Sequence, residues 1–231
     1  MNNIDIMVMG DVHGEWGALN TLVNKKRPNI ILQCGDFGYW PRMEEPDYRQ
    51  RHIRAGRLPK HPKMPEGTTL YWCDGNHEDH ESLGLRDTDE FWPRVIYKPR
   101  GSTLELPDGR VVLFMGGAAS YDKEYRTIGL DWFPEEMISY AEVDALDPNL
   151  RVDIVISHTC PEEFDVKYCS FRMYDGCRKA LSHILKMYRP SLWYFGHWHQ
   201  HRQLYDRALG CRWEALSYAG GSGRWWCTLK S

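Results

Sequence analysis

Asp11 and His13 stand two residues apart in Gly10-Asp11-Val12-His13-Gly14, directly after the largely apolar run Ile4 to Met9. A carboxylate oxygen beside an imidazole nitrogen is half a site for a divalent transition metal. The flanking glycines let the backbone turn sharply and come close to a ligand. Such a pair is common by itself, but the pattern of apolar run and donor-bearing loop returns four more times. Asp36 follows Ile30-Ile31-Leu32; Asn76 and His77 follow Thr68 to Cys73; His158 follows Val152 to Ile156; His197 and His199 follow Ser191 to Phe195. These donors are more than one ion needs. Two divalent ions roughly 3.5–4 Å apart, with a carboxylate between them, are the usual machinery for in-line displacement at phosphorus, where they clamp the attacking and leaving oxygens and supply a hydroxide at neutral pH. Mixed His, Asp and Asn donors suit manganese, iron or zinc better than calcium or magnesium.

The elements that must hold these donors are short buried strands. Strand, helix and strand alternate: a helix at Glu15–Lys26 with Trp16, Leu19, Leu22 and Val23 at helical spacing, another at Gly176–Tyr188, and a third opening at Pro134. That alternation predicts an α/β fold with a parallel sheet, in which ligands gather at the carboxyl ends of the strands. Phe91–Tyr97, Ser102–Leu106 and the turn Pro107-Asp108-Gly109 into Arg110–Met115 read as antiparallel, and point to a second sheet packed on the first. The last stretch, with a turn at Leu209-Gly210, reads as antiparallel closing strands. The expected architecture is therefore two packed mixed sheets flanked by helices in a single domain, 1–231, with surface excursions at about 39–66 and 116–134.

Composition narrows the function classes. A chain of 231 residues with 42% hydrophobic and 26% charged residues can bury a substantial core. Net charge of −3 and a pI near 6.4 leave no global footprint for nucleic acid. A local one stands at Arg51, Arg54, Arg57, Lys60 and Lys63, every third residue, which reads as a solvated face or as a basic rim gathering an anionic substrate. No run is apolar enough to span a bilayer, and Met1-Asn2-Asn3 lacks the basic start of a signal peptide. Seven cysteines without framework spacing predict reduced thiols and a cytoplasmic location, with Cys34 and Cys73 as buried small hydrophobes. No obligate protein partner is evident.

The series Gly-Asp-Val-His, Gly-Asp, Gly-Asn-His-Glu, Ser-His and Gly-His-Trp-His, in order from residue 10 to residue 199, resembles the calcineurin-like metallophosphoesterase superfamily. The resemblance implies a two-sheet sandwich with a dinuclear centre at the strand ends. Carried over by position, it implies one ion on Asp11, His13, Asp36 and His199, and a second on Asp36, Asn76, His158 and His197, with Asp36 bridging. His77 would stay off the ions, contact the phosphate and protonate the leaving oxygen, a role that suits an imidazole. Manganese is the expected metal at both positions, with iron, zinc or a mixed pair as alternatives. His52, His61, His80 and His183 match no block and read as surface or helix residues, while His201 lies along the same strand direction as His199.

Within the superfamily the protein-phosphatase branch carries an arginine just before Gly-Asn-His and an Asp-Arg-Gly after the second aspartate. Here those places hold Asp74 and Phe37-Gly38-Tyr39-Trp40, and the aspartate partner of His77 is missing as well. The terminal Gly-His-x-His resembles the phosphodiesterase and nuclease branches, and Gly-Gly-Ala-Ala-Ser-Tyr-Asp-Lys is similar to small bacterial and phage members. The substrate is accordingly expected to be a phosphodiester, such as a cyclic nucleotide or nucleic acid end, attacked by a hydroxide bridging the ions. A phosphomonoesterase or phosphoprotein phosphatase, a nuclease acting on DNA ends, and a non-catalytic nucleotide-binding module are the alternatives. Arg126 and Lys123 are candidates for phosphate contact; Trp40 and Trp198 are candidates for stacking on a base or for walling the pocket.

Overall fold

The computed structural model describes residues 4–44, 61–166 and 175–230. Arg51, Arg54, Arg57 and Lys60 of the basic series lie outside the described residues.

Two six-stranded sheets pack face to face. In the first, β1 (Ile6–Met9), β2 (Ile30–Gln33), β3 (Thr69–Trp72) and β5 (Val95–Tyr97) run parallel, with β12 (Trp226–Thr228) antiparallel on one edge and β4 (Glu90–Trp92) on the other. In the second, β7 (Val111–Met115), β8 (Ile154–Ser157), β9 (Leu192–Phe195) and β11 (Cys211–Ala215) run parallel. Its antiparallel edges are β6 (Thr103–Glu105) and β10 (Arg202–Asp206).

Strand side chains alternate between two buried faces, which is why these strands read as continuous apolar runs. Ile6 and Val8 of β1 point between the sheets, where they meet Phe114 of β7 and Ile154 and Ile156 of β8. Met7 and Met9 point outward onto α1 (Trp16–Lys26) through Trp16, Leu19 and Val23. The second sheet is covered in the same way by α4 (Gly176–Tyr188), whose Ala180, Leu181 and Ile184 pack on Val155, Trp193 and Trp213. The layers are helix, sheet, sheet, helix, as expected.

Two parts of the expected topology change. The 91–115 section does not all belong to the second sheet: β5 pairs parallel with β3, and only β6 and β7 start the new layer. The closing stretch also divides, since β11 runs parallel to β9 while β12 crosses back to pair with β1. Sheet membership is decided by pairing partners distant in sequence, which local periodicity does not report. The helix expected from Pro134 is a single 3-10 turn, Pro134–Glu136; the short helices are α2 (His80–Gly84), capped by Asp79, and α3 (Tyr140–Asp144), where Ser139 and Glu142 form a capping box. No helix among the described residues is long and apolar enough to cross a membrane.

Candidate metal centre

The loops after β1, β2, β3, β8 and β9 leave their sheets at the same end and meet. Asp11, His13, Asp36 and His199 each offer one ligand atom, and these atoms lie within 4.8 Å of one another. His13 Nε2 and His199 Nε2 are 3.0 Å apart, with Asp11 Oδ2 3.1 Å from the second and 3.7 Å from the first. A second convergence adjoins the first: Asn76 Oδ1 is 3.1 Å from His158 Nε2 and 3.0 Å from His197 Nδ1. Asp36 stands between the two, its Oδ2 3.7 Å from His13 Nε2 and its Oδ1 3.2 Å from His158 Nε2.

Backbone geometry allows this crowding. A Cβ on Gly75 would lie 2.1 Å from Asp36 Oδ1, and one on Gly196 would lie 1.9 Å from Asp11 Oδ1, so no other residue fits at either position. Of the seven described non-glycine residues with positive φ, four are His13, Asp36, His197 and His199. Left-handed backbone at non-glycine residues persists only where surrounding structure enforces it, and it concentrates at functional sites. The enforcement is visible. Val12 and His13 both donate their N–H to the Asp36 carbonyl, at 2.9 and 2.8 Å, while the Asp36 carboxylate accepts the His77 N–H at 2.8 Å and Asp11 accepts that of His197 at 3.0 Å.

Burial sharpens the electrostatics. Asp11, Asp36, Asn76 and His158 are all buried. Burial alone would raise the Asp36 carboxyl, but His158, His77 and His13 hold it well below the usual carboxylate range. Burial would lower His158, yet the Asp36 and Asp11 carboxylates raise it to about 10. Burial and the neighbouring His158 push His197 well down, whereas the bond to Asp11 raises His199. Two imidazole nitrogens in contact, with two buried carboxylates beside them, form a donor set that a divalent cation satisfies, and the mixture of N and O donors fits a transition metal.

The donors are aimed by residues behind them. His158 Nδ1 reaches the Cys34 carbonyl at 2.8 Å, which turns Nε2 toward the cluster. Asn76 Nδ2 donates to Ser120 Oγ at 3.1 Å, and Ser120 is held by the buried Glu136 at 2.6 and 2.7 Å, so the amide oxygen faces the histidines. Glu78 accepts the N–H groups of Gly38 and Gly75, tying two donor loops together; burial, with Asp36 nearby, raises its carboxyl to about 8. His80, expected as a surface or helix residue, opens α2, where it is buried and bonds the Gly75 carbonyl at 3.0 Å. None of Ser120, Glu136 or Glu78 is a candidate from spacing, although Ser120 closes the Gly-Gly-Ala-Ala-Ser run and Glu78 closes Gly-Asn-His-Glu.

Around the rim the candidates separate. His77 and Arg126 come together, with Arg126 Nη2 3.0 Å from His77 Nε2 and 2.7 Å from Asp122, while Nη1 donates to the carbonyls of Asn76 and Asp131 at 3.4 Å. Lys123 is exposed and forms no ion pair with the cluster. Trp40 lies against Phe133, and Trp198 packs on the second-sheet core with the Arg178 guanidinium 5.5 Å from its ring; both read as walls. His201 turns away to Glu214, at 3.1 Å.

Asp74, in the place where a phosphatase-type arginine is missing, is buried and receives Arg100 at 2.6 and 3.0 Å and the Tyr97 hydroxyl at 2.9 Å. Arg100 also donates to the carbonyls of Glu135 and Met137, so the pair fastens the end of β3 to the loop that carries Arg126. Replacing Arg100 by Met leaves a buried carboxylate without its cation and is expected to cost about 3–5 kcal/mol. Denaturant unfolding reads this as a lower midpoint at constant slope. A loss no larger than about 1 kcal/mol would place the pair with ordinary surface bridges.

A search of curated proteins finds no significant match. Among solved structures, one crystal structure is 15% identical and covers 97% of this chain and 95% of its own at a TM-score of 0.54. TT1561 of Thermus thermophilus is 12% identical, covering 93% of this chain and 89% of its own, also at 0.54. The phosphopantetheinyl hydrolase of Mycobacterium tuberculosis is 13% identical over 98% of this chain and 96% of its own at 0.47. At such identities the first two likenesses are of fold. The family model for calcineurin-like phosphoesterases matches residues 4–201, a span that takes in every donor loop described above. The chain belongs to the calcineurin-like phosphoesterase family and is a metal-dependent phosphoester hydrolase.

Proposed function

We propose that this hydrolase works with two divalent ions, manganese at both positions, and cleaves a phosphodiester. The observation that carries the two-ion reading is the position of Asp36, with one oxygen toward His13 and the other toward His158. Asp11, His13, Asp36 and His199 would hold one ion, and Asp36, Asn76, His158 and His197 the other. The ions, when bound, supply a hydroxide nucleophile at neutral pH and neutralise charge on the phosphate. The remaining work falls to the chain. Arg126, which stands against His77, contacts the phosphate. His77, next to it, delivers a proton to the leaving oxygen.

Diester preference is supported by what fills the phosphatase-type positions. Asp74 is committed to Arg100, and Phe37 is buried in the core, so neither place grips a terminal phosphate. Arg126 is the one arginine the structure sets against His77 among the described residues. A nucleotide or nucleic acid end is the proposed substrate class. Cys34, Cys73, Cys177, Cys211 and Cys227 are buried thiols outside any disulfide, which supports a reducing, cytoplasmic setting.

The test compares manganese-dependent hydrolysis of a chromogenic phosphodiester and the matching monoester, with a chelated control. Faster diester turnover is expected. Faster monoester turnover would return the chain to the phosphomonoesterases, metal-independent turnover would refute the two-ion reading, and absent turnover on both would leave nucleotide binding without catalysis.

A further inference from the structure

Three loops around the second convergence meet at one place behind it, the first turn of α4. Arg178 is buried and uses its guanidinium on the loop that follows His158: Nε donates to the Cys160 carbonyl at 3.1 Å, and Nη2 to those of Pro161 and Phe164 at 2.8 and 3.0 Å. The same guanidinium faces the ring of Trp198, the residue after His197, at 5.5 Å. Asp175, which caps α4 by accepting the Arg178 N–H at 3.1 Å, gives its other oxygen to the Tyr121 hydroxyl at 2.7 Å. Tyr121 belongs to the loop that carries Ser120 and Arg126, and its ring lies 5.6 Å from His197.

We propose that Asp175 and Arg178 are positioning residues for the second ion: they hold the loops of His158, His197 and Asn76's support as one rigid body. Neither touches a donor atom. A planar guanidinium with a fixed fork of donors suits this task, because it sets several carbonyls relative to one another and presents a flat face to an aromatic ring. Neighbours that orient metal ligands typically change affinity by about 10–100-fold when removed. The loops of His13 and His199 are held by other groups, which touch neither Asp175 nor Arg178: Ser217 Oγ donates to the His199 carbonyl at 3.1 Å, and the buried Gln33 donates to the Gly10 carbonyl at 3.0 Å. His13 is partly exposed and His199 exposed, and the Tyr218 ring, 4.6 Å from that of His199, is their neighbour. The two ions should therefore respond differently.

This inference rests on the two-ion reading, and the wild-type control tests that reading first. Metal-free protein is titrated with manganese, and the bound ions are followed by calorimetry and elemental analysis, without reference to activity. Wild type taking one ion overturns the two-ion reading and this inference with it. With two ions in wild type, Arg178→Met is expected to weaken one of them about 10–100-fold and leave the other unchanged. Arg178→Lys, which keeps the charge near Trp198 but not the fork, should recover part of the loss. Coupling identifies the ion: Arg178→Met should add nothing to the loss caused by His197→Ala, and should add fully to that of His199→Ala.

Arg110→Met, on the hairpin between β6 and β7, separates positioning from mere stability, since Arg110 also holds a carboxylate and a carbonyl, Asp108 and Lys230. It should lower the melting temperature without changing either ion. Should Arg178→Met not fold, Trp198→Leu carries the test, because it removes the ring from the guanidinium while leaving every carbonyl paired. Two ions bound as in wild type, or both weakened alike, overturns the proposal.

Discussion

Asp36→Ala is expected to abolish binding of both ions and with it all metal-dependent turnover. The argument is geometric. One oxygen of this carboxylate faces His13 at 3.7 Å and the other faces His158 at 3.2 Å, so it is the single anionic group common to both donor sets. Without it the second set keeps an amide oxygen and two imidazoles but no formal negative charge, and the first keeps only Asp11. The substitution also strains the backbone. Asp36 has φ of 49°, where aspartate and asparagine are tolerated but alanine costs roughly 1–2 kcal/mol. Asp36→Asn therefore serves as the companion variant: it keeps the left-handed conformation and an acceptor for the His77 N–H. Elemental analysis of both variants after metal loading, beside a melting curve, makes the measurement. A folded Asp36→Asn protein that retains two ions would refute the bridging assignment.

Much of this centre is legible in the amino-acid sequence, and the reason is topological. A parallel strand ends in a loop at one edge of its sheet, so donors that directly follow apolar runs arrive together whatever the order of the strands. Asp11, Asp36, Asn76, His158 and His197 needed only that regularity. The groups that aim them did not follow from it. Asp74 with Arg100 is a pair formed between loops of different strands, while Ser120 with Glu136 and Arg178 with the Cys160 carbonyl close within one long connection, beyond the reach of local spacing. An Asp before Gly reads locally as a turn, although here its carboxylate is buried under a guanidinium. The same limit explains β5 and β12, whose sheets are chosen by distant partners. Trp198, which by its place beside two histidines could stack on a base or wall the pocket, has the Arg178 guanidinium 5.5 Å from its ring. Charge spacing at 51–60 carries no such correction, because those residues lie outside the described ones.

His77→Ala is expected to lower turnover by about 10²–10⁴-fold, the usual worth of a general acid, while both ions remain bound. His77 Nε2 is not turned to Asp11, Asp36 or Asn76; it accepts from Arg126 at 3.0 Å, and the ring stands edge-on to His13 with centroids 5.1 Å apart. Burial, with Arg126 close by, lowers this imidazole from its ordinary value although Asp36 opposes them, so in the free protein it is neutral at pH 7. A bound phosphate changes both influences. On the proposed reading it would draw the guanidinium off Nε2 and bring negative charge beside the ring, so that the substrate itself would place the proton where the leaving oxygen needs it. This fixes how the experiment must be done. A nitrophenolate leaves without protonation, and a chromogenic ester should show little of the defect. An alkyl or nucleoside ester leaves as a strongly basic alkoxide and should show the full loss. Arg126→Met should weaken binding of both esters alike, through KM, since it removes a phosphate contact. An equal loss on both esters for His77→Ala would assign His77 to phosphate binding, and a lowered metal content would move it among the ligands.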